Sequence, residues 1–398
     1  MNVVVPCTSR VFVGPERFTV VYSIHGDENE ARVKAIDTCF EQTVEFPEAL
    51  VPERLIREGV VGRLESLQRR DDSAFLAAIS YAADVATTDL TQWLNVVMGN
   101  TSLKPGIRVE RVELGSVAAA FRGPRFGRSG LRELLSVFDR PLLCTALKPM
   151  GVSVEDLAGL AYRFALGGID LIKDDHGLAD QRFCRFEDRV SRCAAAVARA
   201  NRETGLCCRY VPNVTAGPDQ MPRRAKFAKD CGAGGLLVLP GLCGFEAMRQ
   251  LADDDSIALP ILAHPAFQGG FIAAEQCGFS HYALFGQIPR LAGADATIFP
   301  NFGGRFSFSR EDCITLAEGA GTPMGGIRPV FPVPAGGMSV AQVQELANAY
   351  GNQLIILVGG GLFRSGPDLV ENCRALLHIA RQFQLNQSAE SDQQAFRK

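Results

Sequence analysis

Gly167-Gly168-Ile169-Asp170-Leu171-Ile172-Lys173-Asp174-Asp175-His176 is the stretch on which the reading of this chain turns. The short, mostly apolar run from Ile169 to Ile172 reads as a buried strand, and the ionisable residues behind it as the loop it opens into. Four such side chains inside a fully buried strand would be very costly, so they belong at its mouth. An amine, an imidazole and carboxylates converging there could hold a divalent cation or move protons. Taken alone, the same four residues also fit a solvated βα-loop with a salt bridge.

The flanking sequence sets that strand in a series. From about residue 139 onwards, Leu142–Leu147, Ile169–Ile172, Tyr210–Val214 and Leu236–Leu239 are short buried-strand candidates. Leu259–Ala263, Ala296–Phe299, Val330–Val333 and Leu354–Val358 complete a set of eight. Segments of helical spacing lie between them, such as Val154-Leu157-Leu160-Ala161-Phe164 and Val340-Val343-Leu346-Ala347. Ser153 and Ser309 supply N-caps, each followed by first-turn acids. Eight strands alternating with helices over roughly 250 residues predict an α/β fold with a (β/α)8 TIM barrel.

In such a barrel, function sits on the loops after the strand C-termini. Those ends carry Lys148, Lys173 to His176, Asn213, His264, Asn301 with Arg305, Gly336-Gly337 and Gly359-Gly360-Gly361. These are polar, ionisable or glycine positions on one rim, a distribution that a packed core alone does not need.

Residues 1–122 read as a small α+β (ferredoxin-like) domain. Phe18–Ile24 is a strand by its β-branched and aromatic content, and Asp27-Glu28-Asn29-Glu30 supplies helix-start chemistry. Thr43-Val44-Glu45-Phe46 and Ala118-Ala119-Ala120-Phe121 look like further strands. The turn Arg122-Gly123-Pro124 marks the boundary, the barrel is assigned to 123–384, and the polar tail 385–398 is expected to be disordered.

Among the 398 residues, 47% are hydrophobic and 21% charged, with a net charge of −3. This gives no general pull towards nucleic acid or a membrane, and no run approaches a membrane span. The first residues lack the basic start of a secretory signal, so a cytoplasmic protein is expected. The twelve cysteines show no Cys-x-x-Cys pair and read as reduced, mostly apolar side chains.

With these residues in hand, the chain resembles ribulose-bisphosphate carboxylase and, more closely, its non-carboxylating RuBisCO-like (form IV) relatives. The match runs from about Glu41 to Asp368 and is carried most strongly by Gly167–Asp175. Leu147-Lys148-Pro149, Asn213–Gly217, His264-Pro265-Ala266 and Gly359–Gly361 support it, as do Glu41-Gln42-Thr43 and Met98-Gly99-Asn100. The resemblance implies that Lys173 takes up CO2 as a carbamate and binds Mg2+ with Asp175, a hard metal served by oxygen ligands. Lys148 would be the acid/base residue, with the Lys173 carbamate and His176 as rivals, and His264 would orient substrate oxygens. Asn213, Arg305, Gly336, Gly337, Gly359 and Gly360 would contact substrate. Glu41 and Asn100 would come from a second subunit, making a homodimer with shared active sites.

Three departures refine this. His176 stands where the family has a glutamate ligand, so a softer metal such as Mn2+ is used, or His176 moves protons instead, or the metal is lost. Arg305 stands near the position of the carboxylase's mobile lysine, and its planar fork is a poor replacement, so CO2 fixation is not expected. Pro265, Phe299 and Ala335 replace the three polar residues of one of the carboxylase's two phosphate sites, whereas the glycine loops of the other persist. The substrate implied carries one phosphate and an uncharged far end, as in the methylthio-sugar phosphates of methionine salvage, processed by an isomerase or an enolase. Decarboxylation or cleavage of a phosphorylated 3-oxo sugar acid, and phosphometabolite binding without turnover, are the alternatives.

Overall fold

The computed structural model describes residues 14–51, 56–86 and 88–395, with side chains as far as 382. The small domain follows the order β1 (Arg17–His25), helix Glu28–Glu41, β2 (Arg63–Arg69), β3 (Ala74–Ala82), helix Leu90–Met98, β4 (Ile107–Glu113). Antiparallel pairing puts β1 between β3 and β4, which is why its sequence is largely apolar. The edge strand β2 alternates Arg, Glu and Gln with apolar residues and is largely exposed, a pattern that protects an edge but hides a strand from sequence reading. Phe18, Val20, Tyr22 and Ile24 pack beneath the two helices. Asp27 and Glu30 form a capping box at the start of the first helix, as its sequence predicts.

Two segments expected as strands take other forms. Thr43–Phe46 is the turn leaving helix Glu28–Glu41: the Thr43 hydroxyl donates to the Cys39 carbonyl, and Glu45 adopts a φ of 45°. Ala118–Ala120 lies in the 3-10 helix Gly115–Ala120, where alanine's preference for helical backbone outweighs a merely apolar run.

The first five barrel strands are β5 (Leu142–Leu147), β6 (Leu171–Asp174), β7 (Arg209–Val211), β8 (Leu236–Val238) and β9 (Ile261–Ala263). The short β10 (Gly278–Phe279) then leaves the barrel to pair with β4, extending the small domain's sheet. Gln287 reinforces this junction, donating to the Val112 carbonyl and accepting from its N–H. The barrel resumes with β11 (Ala296–Pro300), β12 (Phe331–Ala335) and β13 (Ile355–Leu357). All eight barrel strands overlap the expected segments, but β6 starts two residues later than expected and runs on through Lys173 and Asp174, which the sequence reading puts in the loop. Parallel ladders join β13-β5-β6-β7 and β8-β9-β11-β12, and a bridge between Asn213 and Leu237 links the two groups. Alternate residues point inward, so Leu142, Cys144, Leu171, Val211, Leu237, Leu262, Ile298, Val333 and Ile355 fill the interior.

At the opposite end of the barrel from its functional loops, buried Asp295 accepts from the N–H groups of Phe126, Gly127 and Ile261 and so ties the incoming chain to the barrel. The last helix runs Leu369–Ala395, so the backbone of 385–395, expected to be disordered, continues the helix instead. Once a helix is nucleated, extension through Gln, Ala and Glu costs little. No helix among the described residues is long and apolar enough to cross a membrane.

Candidate active site

The register of β5 and β6 builds the centre of the site. Ala146 pairs with Lys173 and both face the barrel interior. Two residues further along each strand are Lys148 and Asp175, and they meet: Nζ of Lys148 lies 2.7 Å from Oδ2 of Asp175. Oδ1 of the same carboxylate lies 2.7 Å from Nδ1 of His176. Asp175 thus bridges an amine and an imidazole. Burial opposes its charge, but the hydrogen bonds from His176 and Lys148 and the positive charges of Lys148 and Lys173 prevail, holding the carboxyl well below the usual carboxylate range.

Lys173 is 3% exposed and donates to the Asp174 carbonyl at 3.0 Å. Burial pushes its ammonium below the usual lysine range, against the opposing pull of Cys144 and Asp175. A lysine driven towards the neutral amine has the lone pair that addition to CO2 requires.

His264, on the loop after β9, stacks on His176 with ring centroids 4.5 Å apart and planes 15° from parallel. Burial, then the positive fields of Lys173 and His176, bring its pKa down to about 2. The Ala266 N–H donates to Nδ1, so the neutral ring carries its proton on Nε2. The depressed pKa has a sign for stability. The folded state keeps the ring neutral, so its contribution is intact above the unfolded value near 6.5 and is lost as pH falls from there towards about 2. Nitrogen chemical shifts of His264 should therefore report the Nε2–H tautomer, unchanged, from about pH 8 to about pH 5. Titration near the ordinary histidine value would contradict this electrostatic picture.

A cavity of about 1140 Å³ opens over these groups. Lys173 on β6 and the carboxyl-end loops that carry Lys148, His176, His264, Arg305, Gly336, Gly337, Gly359 and Gly360 form its wall, together with Arg364. Among the described residues, no aspartate or glutamate lines it. Gly336 and Gly337 have φ of 96° and 103°, a backbone that side chains rarely adopt, and a Cβ on Gly359 or Gly360 would meet nothing within 4 Å. Space for a ligand therefore lies directly against this backbone. Pro265, Phe299 and Ala335, the residues expected to replace a phosphate site, also line the cavity, with Phe267, Ile272, Phe285 and Phe308. One cavity thus combines a cationic, glycine-rich part with an apolar one.

One expected placement differs. Asn213 does not line the cavity: its side-chain N–H groups donate to the carbonyls of His176 and Leu178, and its oxygen accepts from the Thr215 N–H. It fixes the loop that carries Asp175 and His176, and is corrected from a substrate contact to a positioning residue. Glu41 and Asn100 do not line the cavity of their own chain; Asn100 donates to Glu41, which also pairs with Lys104. Asp174 has a role that its sequence position conceals. It points out of the barrel, fully buried, pairing with Arg189 at 3.1 Å and accepting from the Tyr210 hydroxyl and the Asn213 N–H. Strand alternation is the signal that separates it from Lys173 and Asp175.

Residues 127–367 match the family model described as the ribulose bisphosphate carboxylase large chain, catalytic domain. A 5-methylthioribulose-1-phosphate isomerase from Rhodospirillum rubrum is 39% identical over 87% of this chain and 91% of its own length. A 2,3-diketo-5-methylthiopentyl-1-phosphate enolase from Geobacillus thermodenitrificans is 34% identical over 72% of this chain and 70% of its own. The crystal structure of a Rubisco-like protein from Rhodopseudomonas palustris superposes with a TM-score of 0.82 at 35% identity, covering 92% of this chain and 97% of that one. By its barrel, the Lys148–Asp175 pair built on strand register, and these similarities, this chain belongs to the ribulose bisphosphate carboxylase large-chain family, among its RuBisCO-like members.

Proposed function

We propose that this chain is a non-carboxylating enolising enzyme, an isomerase acting on a singly phosphorylated ketose with an apolar far end, of the 5-methylthioribulose 1-phosphate type. The observation that carries it is the composition of the large cavity, with a glycine-rich cationic part for a phosphate, an aromatic part for a thioether, and Lys148 beside Asp175. The similarity to a protein named as that isomerase supports the same substrate class. A 2,3-diketo-5-methylthiopentyl 1-phosphate enolase is the second reading, since it shares the proton abstraction next to a carbonyl and a relative bears that name.

Lys148 moves the proton. Its amine stands at the cavity wall, positioned by the ionised Asp175 at 2.7 Å. The Nε2–H of neutral His264 is a donor for a substrate oxygen that gains negative charge. Arg305 supplies a fixed positive charge.

Enzymes of this superfamily use a divalent metal. Among the described residues no three His, Cys, Asp or Glu side chains gather into a metal site. The donor set would be completed by Lys173 as its CO2 carbamate, which burial favours by disfavouring the ammonium, alongside Asp175 and His176. These residues fit Mg2+ and, because one donor is imidazole, fit Mn2+ at least as well. The cation, when bound, supplies positive charge beside the substrate carbonyl. Glu41 and Asn100 complete the site from a second copy of the chain in a homodimer.

In D2O, with Mg2+ or Mn2+ and bicarbonate, the protein should exchange the proton at the carbon next to the carbonyl of 5-methylthioribulose 1-phosphate. Chelation or removal of CO2 should suppress the exchange. If no phosphorylated ketose exchanges a proton under these conditions, the enolising reading is lost.

A further inference from the structure

We propose that Arg364 is a substrate-anion contact, closing with Arg305 a two-guanidinium clamp on the phosphate at the glycine-rich part of the cavity. This rests on the phosphorylated-substrate reading above and extends it to a residue outside the glycine loops.

Charge gives the first argument. Both arginines line the cavity, whose wall carries no acidic side chain among the described residues. Among those residues neither arginine forms a salt bridge; Arg305 only lies over its neighbour Phe306, 5.1 Å from the ring centroid. Some other exposed arginines of this chain pair with carboxylates, as Arg57 does with Glu48 and Arg374 with Glu371. Two guanidinium groups that line one cavity, with no salt bridge among the described residues, give an anion bound between them two favourable charge contacts. A guanidinium fork matches phosphate oxygens two at a time.

Position gives the second. Arg364 ends the 3-10 turn Gly360–Arg364. That turn is pinned on one side by Asn372, which is 7% exposed and donates to the carbonyls of Leu362 and Gly366 at 2.8 and 2.9 Å. It is pinned again at Gly361, where a Cβ would stand 2.5 Å from the Met338 carbonyl. On the other flank, the stem of Arg305 lies against Gly337, with Cβ and Cγ 3.8 Å from where a Cβ would project. The Arg305 N–H donates to the Gly336 carbonyl at 2.9 Å. The two arginines therefore flank a single seam of backbone, formed by Gly337, Met338 and Gly361, with the open space over Gly359 and Gly360 beside it. Both roots are anchored by these backbone contacts.

The test uses inorganic phosphate on the full-length protein, reading the concentration that gives half-maximal protection in thermal melts. Arg364→Ala should raise that concentration about tenfold, Arg364→Lys less, and Arg374→Ala, remote from the cavity, should leave it unchanged. With a phosphorylated ketose the same loss should appear in KM far more than in kcat. An Arg364→Ala response within about twofold of the wild type overturns the clamp; should that variant not fold, Arg364→Gln is held to the same criterion. Absent proton exchange with an intact, Arg364-dependent phosphate response removes the enolising reading and keeps the clamp. Exchange that persists with an Arg364-independent phosphate response removes the clamp alone.

Discussion

Lys148→Ala should lower kcat by about 10²- to 10⁴-fold while leaving the affinity for the phosphorylated ketose within a few-fold, the range expected for loss of a general acid/base. The reason is its isolation of role: of the groups lining the cavity, Lys148 is the amine that pairs with Asp175, and substrate affinity is assigned to the glycine loops and arginines instead. The variant also separates an enzyme from a binding protein, because a pure binder would keep its function. It tests the proposed shared site as well. Glu41→Gln should be inactive if Glu41 serves the partner's barrel. In an equal mixture of the two variants, half the dimers are mixed, and each mixed dimer has one site with both native residues. About a quarter of the wild-type activity should return. A mixture that stays inactive would place Glu41 outside the partner's site, and full activity of Lys148→Ala would end its assignment as the proton-moving residue.

Asp174→Ala should destabilise the fold by about 3–5 kcal/mol, because it strands a buried guanidinium. Arg189 is 0% exposed, and its remaining partners, the carbonyls of Ala179 and Cys184, the Cys184 sulfur and the Phe186 ring, supply no carboxylate. The Tyr210 hydroxyl and the Asn213 N–H lose their acceptor in the same substitution. Since Asn213 holds the carbonyls of His176 and Leu178, the damage should spread to the loop bearing Asp175. Urea unfolding, with hydrogen exchange on β6 and the following loop, measures both effects. Stability within about 1 kcal/mol of the wild type would show that the buried pair contributes little net energy here.

The barrel was legible because its strands are buried on both faces, and eight apolar runs at regular spacing suit a closed parallel barrel and little else. The small domain was less so. β2 and β4 carry alternating charges that suit a partly exposed sheet, and no apolar run announces them. The two false strands, the β-branched and aromatic Thr43–Phe46 and the apolar Ala118–Phe121, had backbone claimed by a helix end and by a 3-10 turn.

By itself the sequence determined the barrel and put the ionisable run from Lys173 to His176 at the carboxyl end of its second strand, since apolar runs buried on both faces leave charge only for the strand ends. The apolar Pro265, Phe299 and Ala335, which line the cavity, were also legible there. Tertiary structure alone decided that Lys148 meets Asp175, that His176 stacks on His264, and that Asn213 turns to its neighbouring loop. It also brought Arg364 to the same cavity as Arg305. These outcomes depend on strand register and on loop paths fixed by contacts far away in the chain, which no local pattern encodes.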